Sequence, residues 1–412
     1  MSKNQRFMEL EGLRGIAALI VVVFHIVTMF FPRIIYGDYS EISVSHSKYE
    51  DLLFGSPISG LFSGLFAVSI FFVLSGFVLS IGFFQSGDSK IVKRLASKRY
   101  IRLMIPALAS IIIAYFLIYF GIDIYRDQAA QIIGGGSMGI QWNFIPNIYE
   151  AIQQGTWSIF ATGVDTYNRV LWTMHYEFFG SFLVFIFLLI FGKSPNRWIV
   201  YLILLVATFG SWYTGFLVGM LLADVYVNTK LFEKLKKLPV IATGMLIGGI
   251  VIGGYPILGA SETFYSLFTL PWFTETQNTT IYLAVGAGLL IVSVLVIGKI
   301  SRFLASPLLS RFGKFTFSIY LTHILVLLTF TSFLFVATLP HLGYTKSVIF
   351  SVLVSVPILV LVTVLFDKYI DQPSIRFSGY VANWIDGLSK TKNIYTERSR
   401  FVKIIKRMIF RD

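Results

Sequence analysis

The chain of 412 residues is 56% hydrophobic, 17% aromatic and only 13% charged, with a mean hydropathy of +0.75. Soluble proteins average about 45–50% apolar and about 25% charged residues. These values therefore exclude a soluble enzyme, a disordered chain and a nucleic-acid-binding domain, and they predict an all-α, polytopic membrane protein. Its net charge of +13 is typical of Lys and Arg in cytoplasmic loops. The absence of Cys excludes disulfides and thiolate chemistry.

Apolar runs long enough to cross about 30 Å of hydrocarbon predict ten transmembrane helices. The weakest boundary lies between the fifth and sixth, where only Gly210 and Ser211 interrupt the run. The predicted spans are 10–31, 61–84, 103–122, 170–192, 198–210, 211–227, 239–258, 279–298, 315–338 and 345–367.

The Lys and Arg residues predict the orientation of these helices. With the amino terminus inside, 29 of the 34 basic residues fall on the side of both termini, which predicts that both are cytoplasmic. A transmembrane domain over 1–367 is then followed by a basic cytoplasmic tail over 368–412. Within this tail, apolar residues at helical spacing among basic ones predict an amphipathic helix on the inner leaflet. They are Phe401, Ile404, Ile405, Met408 and Ile409.

Ionisable side chains inside lipid cost at least about 2.5–3.5 kcal/mol each, so they indicate a functional site. Arg14 and His25 are eleven residues apart, which places them on one face of helix 1 about 16 Å from each other. His25 and Glu177 are estimated to lie at the same depth, where a carboxylate would orient an imidazole as a general base. Alternatively, Glu177 only neutralises His25 or Arg169. The further candidates are His175 on helix 4 and His323 beside Tyr320 on helix 9.

A basic segment, Ser97–Arg102, precedes helix 3. By itself it is typical of a loop that sets topology. Arg99 and Arg102, however, are spaced i, i+3 and can converge on a phosphate, which the forked guanidinium group suits. Together with Arg14, they predict that the inner mouth binds an anionic cytoplasmic molecule.

Five motifs resemble those of the acyltransferase family 3 membrane O-acyltransferases, in the family's order. They cover about residues 6–375, and two departures, Glu11 for Asp and Phe317 for Tyr, are conservative. The motifs are Leu10–Leu19 running on to His25, Phe71–Phe77, Lys98–Pro106, Trp172–Glu177 and Phe317–His323.

The resemblance implies a ten-helix enzyme that moves an acyl group, most often acetyl from cytoplasmic acetyl-CoA, to a hydroxyl at the outer side of the bacterial inner membrane. Acceptors in the family include cell-surface glycans such as lipopolysaccharide O-antigen. Many such members carry an extracytoplasmic esterase-like domain after the core. Its absence here leads us to expect a stand-alone acetylase or a separately encoded partner.

The predicted mechanism uses His25 as general base and Glu177 as its orienting partner. The acyl-CoA would bind at Arg14, Arg99, Arg102, Tyr320 and His323, and the acceptor at Trp172, His175 and Ser75. A continuous passage would lead from the inner arginines to the imidazole of His25. No metal and no nucleic acid are expected; the partners are acyl-CoA, a glycan or lipid-linked glycan, and membrane lipids, with a homo-oligomer allowed.

One alternative is a transporter or flippase of a lipid-linked glycan, in which the intramembrane His and Glu residues form a proton relay. Its expected signature is a pair of broken helices in two repeats, and no such symmetry is visible in the sequence. A structural subunit would not need Arg14, His25, Glu177 and His323 inside lipid.

Overall fold

The structure is a computed structural model that describes residues 7–38, 44–134 and 141–388. Within these ranges it is all-helical, and ten apolar helices follow the order of the ten predicted spans. We number them α1 (Met8–Phe30), α2 (Gly64–Ser86), α3 (Ser89–Tyr119), α4 (Thr173–Ile190), α5 (Arg197–Ala207), α6 (Tyr213–Asn228), α7 (Pro239–Gly253), α8 (Glu275–Val296), α9 (Thr316–Val326, Leu327–Thr331 and Ser332–Leu342) and α10 (Tyr344–Phe366, Asp367–Asp371 and Gln372–Leu388). The middle part of α9 and of α10 is a π-helical turn.

The lengths of these helices confirm a multi-pass membrane protein. In the described part of the chain, seven helical stretches are long and apolar enough to cross a membrane, while α5, α6 and α7 are shorter. At 11 residues, α5 is about 16 Å long, roughly half the hydrocarbon thickness. Gly210, with a φ of 73°, lies in the turn that separates α5 from α6.

The centre of the bundle is α2, which contacts α1, α4, α6 and α8. It is apolar on all sides, as a helix surrounded by other helices requires. Its first turn is capped by Ser63, whose side chain accepts a hydrogen bond from the backbone N–H of Phe66 at 3.2 Å.

The basic segment Ser97–Arg102 is part of α3, so the expectation of a loop was wrong. Gly87 ends α2 in a left-handed conformation. The next residue, Asp88, caps α3: its side chain accepts a hydrogen bond from the backbone N–H of Lys90 at 2.8 Å. Lys and Arg are good helix formers, and Pro106 is the first helix-breaking residue in α3. The cap therefore sets the start of α3 before the basic residues, and their side chains project from a helix.

The chain after residue 367 also continues as helix and packs along α3. Arg94 Nη2 donates to Asn383 Oδ1 at 3.1 Å, and Arg102 forms an ion pair with Asp371. The boundary at 367 stays a prediction, and the predicted amphipathic helix around 401–409 lies outside the described residues.

Glycines allow α2 and α6 to approach each other closely. A Cβ atom on Gly76 would overlap the carbonyl oxygen of Phe216, and one on Gly219 would overlap that of Val73. Small residues commonly permit such backbone contacts between membrane helices. The centre of the bundle therefore has no room for even a methyl group at these two positions.

Gly219→Ala is expected to destabilise the protein by about 1–3 kcal/mol, because α2 and α6 must move apart. The matched control is Gly244→Ala on α7, where a Cβ atom would meet no atom within 4 Å. Thermal unfolding in detergent checks this: Gly219→Ala should melt several degrees lower and Gly244→Ala should melt like the wild type. Equal melting temperatures for both variants would contradict the packing described.

Candidate active site

We name the two cavities inner and outer after the predicted cytoplasmic position of the amino terminus. The inner cavity, of about 330 Å³, lies toward the amino-terminal end of α1. Its walls come from α1, α2, α3, α4, α9 and the turn before α9. The polar residues that line it are Glu11, Arg14, Ser75, Arg99, Arg102, Thr173, Glu177, Lys314, Thr316 and Tyr320.

Arg99 is held in this cavity by two residues of α4. Its guanidinium forms an ion pair with Glu177 of α4, and its Nε donates to the hydroxyl of Ser181 at 2.7 Å. On α2, Ser75 Oγ donates to the same Glu177 oxygen at 2.7 Å. About 15% of the Arg99 side chain and 14% of the Glu177 side chain are exposed, so neither charge could be left unpaired at low cost.

Arg102 is also paired, with Asp371, the last residue of the π-helical turn of α10. Its Nη1 and Nη2 donate to the two oxygens of Asp371 at 2.5 and 3.2 Å, and the side chain of Asp371 is buried. This two-pronged contact fixes the guanidinium at the cavity wall.

The remaining cations of the inner cavity are Arg14 and Lys314. Arg14 Nη1 lies 3.2 Å from Glu11 Oε1, both half-exposed. Lys314 is exposed at the cavity and forms no ion pair with any residue that the structure describes. Four cations therefore face three carboxylates here, Asp371 included, and Lys314 carries the unbalanced charge.

An outer cavity of about 420 Å³ lies toward the other end of α1. Its lining contains one cation, Arg169, against four in the inner cavity, and its one ion pair among the described residues joins Arg169 Nη1 to Asp165 Oδ1 at 3.5 Å. Burial raises the pKa of the Asp165 carboxyl, against the opposing effect of Arg169. The side chains that line this outer cavity include those of His25, Thr28, Tyr36, Gln141, Asp165, Arg169, Trp172 and Tyr255.

His25 sits on the wall of the outer cavity and contacts His323 of α9. The nitrogens His25 Nδ1 and His323 Nε2 are 3.2 Å apart, and the ring centroids are 4.9 Å apart. His323 is fully buried, whereas His25 is partly exposed.

The two cavities are separate, so the expected continuous passage is absent from this conformation. No described residue lines both. Trp172 lines the outer cavity and its neighbour Thr173 the inner one, which locates the wall at the start of α4. Tyr320 closes it from α9: its hydroxyl donates to the carbonyl of Val170 at 2.7 Å and lies 2.9 Å from Thr173 Oγ1.

Comparison of the sequence with models of known protein families identifies the family of this chain. Residues 8–360 match the acyltransferase domain model of acyltransferase family 3. The chain belongs to this family. Neither a curated protein nor a solved structure matches it. As a family 3 membrane acyltransferase, the protein is an acyl-transferring enzyme with an acyl donor and an acceptor. The family match therefore favours the enzyme over the transporter.

The expected pair between His25 and Glu177 is not formed in this acyltransferase. Glu177 faces α2 and α3 in the inner cavity, where it contacts Ser75 and Arg99, while His25 lines the outer cavity. The depth estimate failed because counting residues along one helix does not tell which neighbour a side chain faces. Arg99, predicted near the start of helix 3, reaches into the bundle from within α3.

The other predicted residues divide between the cavities and the packed interior. Arg14, Ser75, Arg99, Arg102 and Tyr320 line the inner cavity with Glu177; His25 and Trp172 line the outer one. His175 lines neither: its Nδ1 lies 2.8 Å from the carbonyl of Phe160 and its Nε2 lies 3.1 Å from the Tyr213 hydroxyl.

Sequence reasoning missed four charged residues at these cavities. Lys314 and Asp371 were counted among topology-setting and tail residues. Asp165 and Arg169 precede α4, and their i, i+4 spacing was the one signal that could have paired them.

We expect Arg99→Ala and Glu177→Ala each to destabilise the enzyme by about 2 kcal/mol, since each leaves the opposite charge without its partner. The double variant should lose clearly less than the sum of the two. Melting temperatures of the three variants in detergent measure this coupling, with the exposed Arg302→Ala as control. Strictly additive losses would show that the ion pair does not exist.

Proposed function

We propose that this acyltransferase moves an acetyl group from cytoplasmic acetyl-CoA to a hydroxyl of a cell-surface glycan, such as lipopolysaccharide O-antigen, at the outer side of the bacterial inner membrane. Both termini are then cytoplasmic. The observation that carries the proposal is the division of the polar groups between two cavities toward opposite ends of α1: one lined by four cations, and one lined by a single cation and a histidine.

The inner cavity suits the acyl donor. The phosphates of acetyl-CoA need cations at the mouth, and Arg14 and Lys314 are the two whose charge is least compensated by protein carboxylates. Arg99 and Arg102 add donors whose position is held by Glu177 and Asp371. At about 330 Å³ the cavity is at the small end of ligand pockets, so it suits the pantetheine arm and leaves the nucleotide outside.

The outer cavity suits a sugar. Trp172, Tyr36 and Tyr255 offer apolar ring faces, and Asp165 with Arg169 offers an acceptor and donors for hydroxyl groups. An acceptor hydroxyl bound here can approach His25, which serves as the general base. Glu177 acts on the donor side, where it positions Arg99, and Ser75 supports it.

Transfer in this geometry requires the wall between the cavities to open. The thioester must pass the contact of Tyr320 with Val170 and Thr173 before it reaches His25. Tyr320 therefore belongs to the donor's path, and Trp172 to the acceptor's side of the same wall. Until an acceptor binds, a closed wall also keeps water in the outer cavity from hydrolysing the donor.

His25→Gln is expected to lower acetyl transfer about 100- to 10,000-fold, because it removes the proton acceptor. The matched control is His341→Gln, an exposed histidine outside both cavities. The measurement is the amount of acetate released by base from surface glycans of cells that produce each variant at equal levels. If His25→Gln acetylates the glycan as much as the wild type does, the role of this residue is disproved. If the wild type itself does not acetylate the glycan, the proposed acceptor is disproved.

Lys314→Ala is expected to raise the KM for acetyl-CoA about three- to tenfold without changing kcat, because it removes the unpaired cation at the donor site. Lys299→Ala, another exposed lysine close in the chain but outside the cavity, is the control. Initial rates of thioester consumption by membranes over a range of acetyl-CoA concentrations give both constants. An unchanged KM for Lys314→Ala would contradict this assignment of the donor site.

A further inference from the structure

The contact between His25 and His323 joins two helices that are far apart in sequence. His25 is on α1 and His323 on α9, and each ring also touches the carbonyl oxygen four residues earlier on its own helix. His25 Nδ1 is 2.8 Å from the oxygen of Val21, and His323 Nδ1 is 2.8 Å from the oxygen of Ile319.

These carbonyl contacts assign the proton positions in both rings. A carbonyl oxygen only accepts hydrogen bonds, so each Nδ1 must carry a hydrogen. In a neutral imidazole the other nitrogen is then bare. His323 Nε2 is therefore an acceptor, and it can only accept from the Nδ1–H of His25, which is shared between Val21 and His323.

The same assignment leaves one nitrogen of the pair free. His25 Nε2 carries a lone pair and has no hydrogen-bond partner among the residues that the structure describes, on a side chain that lines the outer cavity. His323, by contrast, is fully buried and uses both nitrogens. The two histidines are therefore chemically different: one can take a proton, and the other can only hold its partner in place.

We propose that His323 is the positioning residue of the base: it accepts the Nδ1 proton of His25, keeps Nε2 bare toward the outer cavity, and stabilises the imidazolium when it forms. The proposal rests on the proposed role of His25. During transfer, Nε2 takes the proton of the acceptor hydroxyl while the hydroxyl oxygen bonds to the thioester carbonyl carbon. The carbon–sulfur bond then breaks, and the leaving thiolate takes that proton from His25.

A histidine suits this position better than a carboxylate would. An orienting Asp or Glu behind an imidazole introduces a negative charge, which is costly in a packed interior without a cation. His323 lies among buried residues of α9, and Glu177, the carboxylate expected at this place, is paired with Arg99 in the other cavity. A neutral imidazole nitrogen supplies the acceptor without that cost.

The first test uses two variants of nearly equal size that differ in one acceptor atom. Gln in place of His323 offers an amide oxygen near the position of Nε2, and Met offers no comparable acceptor. We expect His323→Met to lower kcat for acetyl transfer about ten- to a hundredfold, with the KM for acetyl-CoA unchanged. His323→Gln should recover most of that loss.

Equal losses in the two variants would show that the ring only fills space, and equal wild-type rates would show that it has no role. Either result overturns the proposal. Both variants should melt within a few degrees of each other, which separates the effect from unfolding.

The second test needs no substrate. Nitrogen NMR of the purified protein labelled with 15N-histidine distinguishes a protonated from a bare ring nitrogen, and the spectrum of His25→Gln identifies the signals of His25. We expect a protonated Nδ1 and a bare Nε2 in the wild type and in His323→Gln, and a larger share of the other tautomer in His323→Met, where the Val21 carbonyl alone holds the Nδ1 proton. A protonated Nε2 in the wild type overturns the proposal. If the assignment holds but no label from [14C]acetyl-CoA is transferred, the proposed function fails and the tautomer assignment stands.

Discussion

The cost of burying a charge inside a membrane bundle explains most of what the polar residues of this protein do. Three arginines inside or beside the bundle each have a carboxylate partner: Arg99 with Glu177, Arg102 with Asp371, and Arg197 with the fully buried Asp224. Each pair also joins two helices, since breaking it would leave an uncompensated charge. The paired charges thus hold α3 against α4 and α10, and α5 against α6.

Two groups without a carboxylate partner among the described residues lie at the cavities. Lys314 is an unpaired cation at the inner cavity, and His25 presents an uncharged ring with a free nitrogen to the outer one. The pairing therefore separates residues that hold the bundle together from residues available to substrates. Arg99 and Arg102 have both roles: each joins two helices through an ion pair, and each also lines the inner cavity.

The transmembrane helices could be predicted from the sequence, and most of the predicted site residues line one of the two cavities, because hydrophobic length and isolated charges in lipid are local signals. Partners could not. Glu177 was assigned to His25 from depth alone, yet rotation around α4 turns it toward Arg99. The helical state of the basic segment depended on the cap at Asp88, which the loop interpretation overlooked. Lys314 went unnoticed because a cytoplasmic lysine and a phosphate-binding lysine look alike until a cavity is seen beside one of them.

The central claim is that the donor's thiol end travels from the inner cavity to the outer one. Since the chain has no Cys, one introduced cysteine reports on one place. CoA activated as a pyridyl disulfide, supplied only at the face of sealed vesicles that carries the amino terminus, would transfer CoA to any cysteine that its thiol end reaches. We predict that Leu65→Cys, on the wall of the outer cavity that His25 also lines, becomes modified with CoA. Modification of Ser75→Cys in the inner cavity but never of Leu65→Cys would contradict the account.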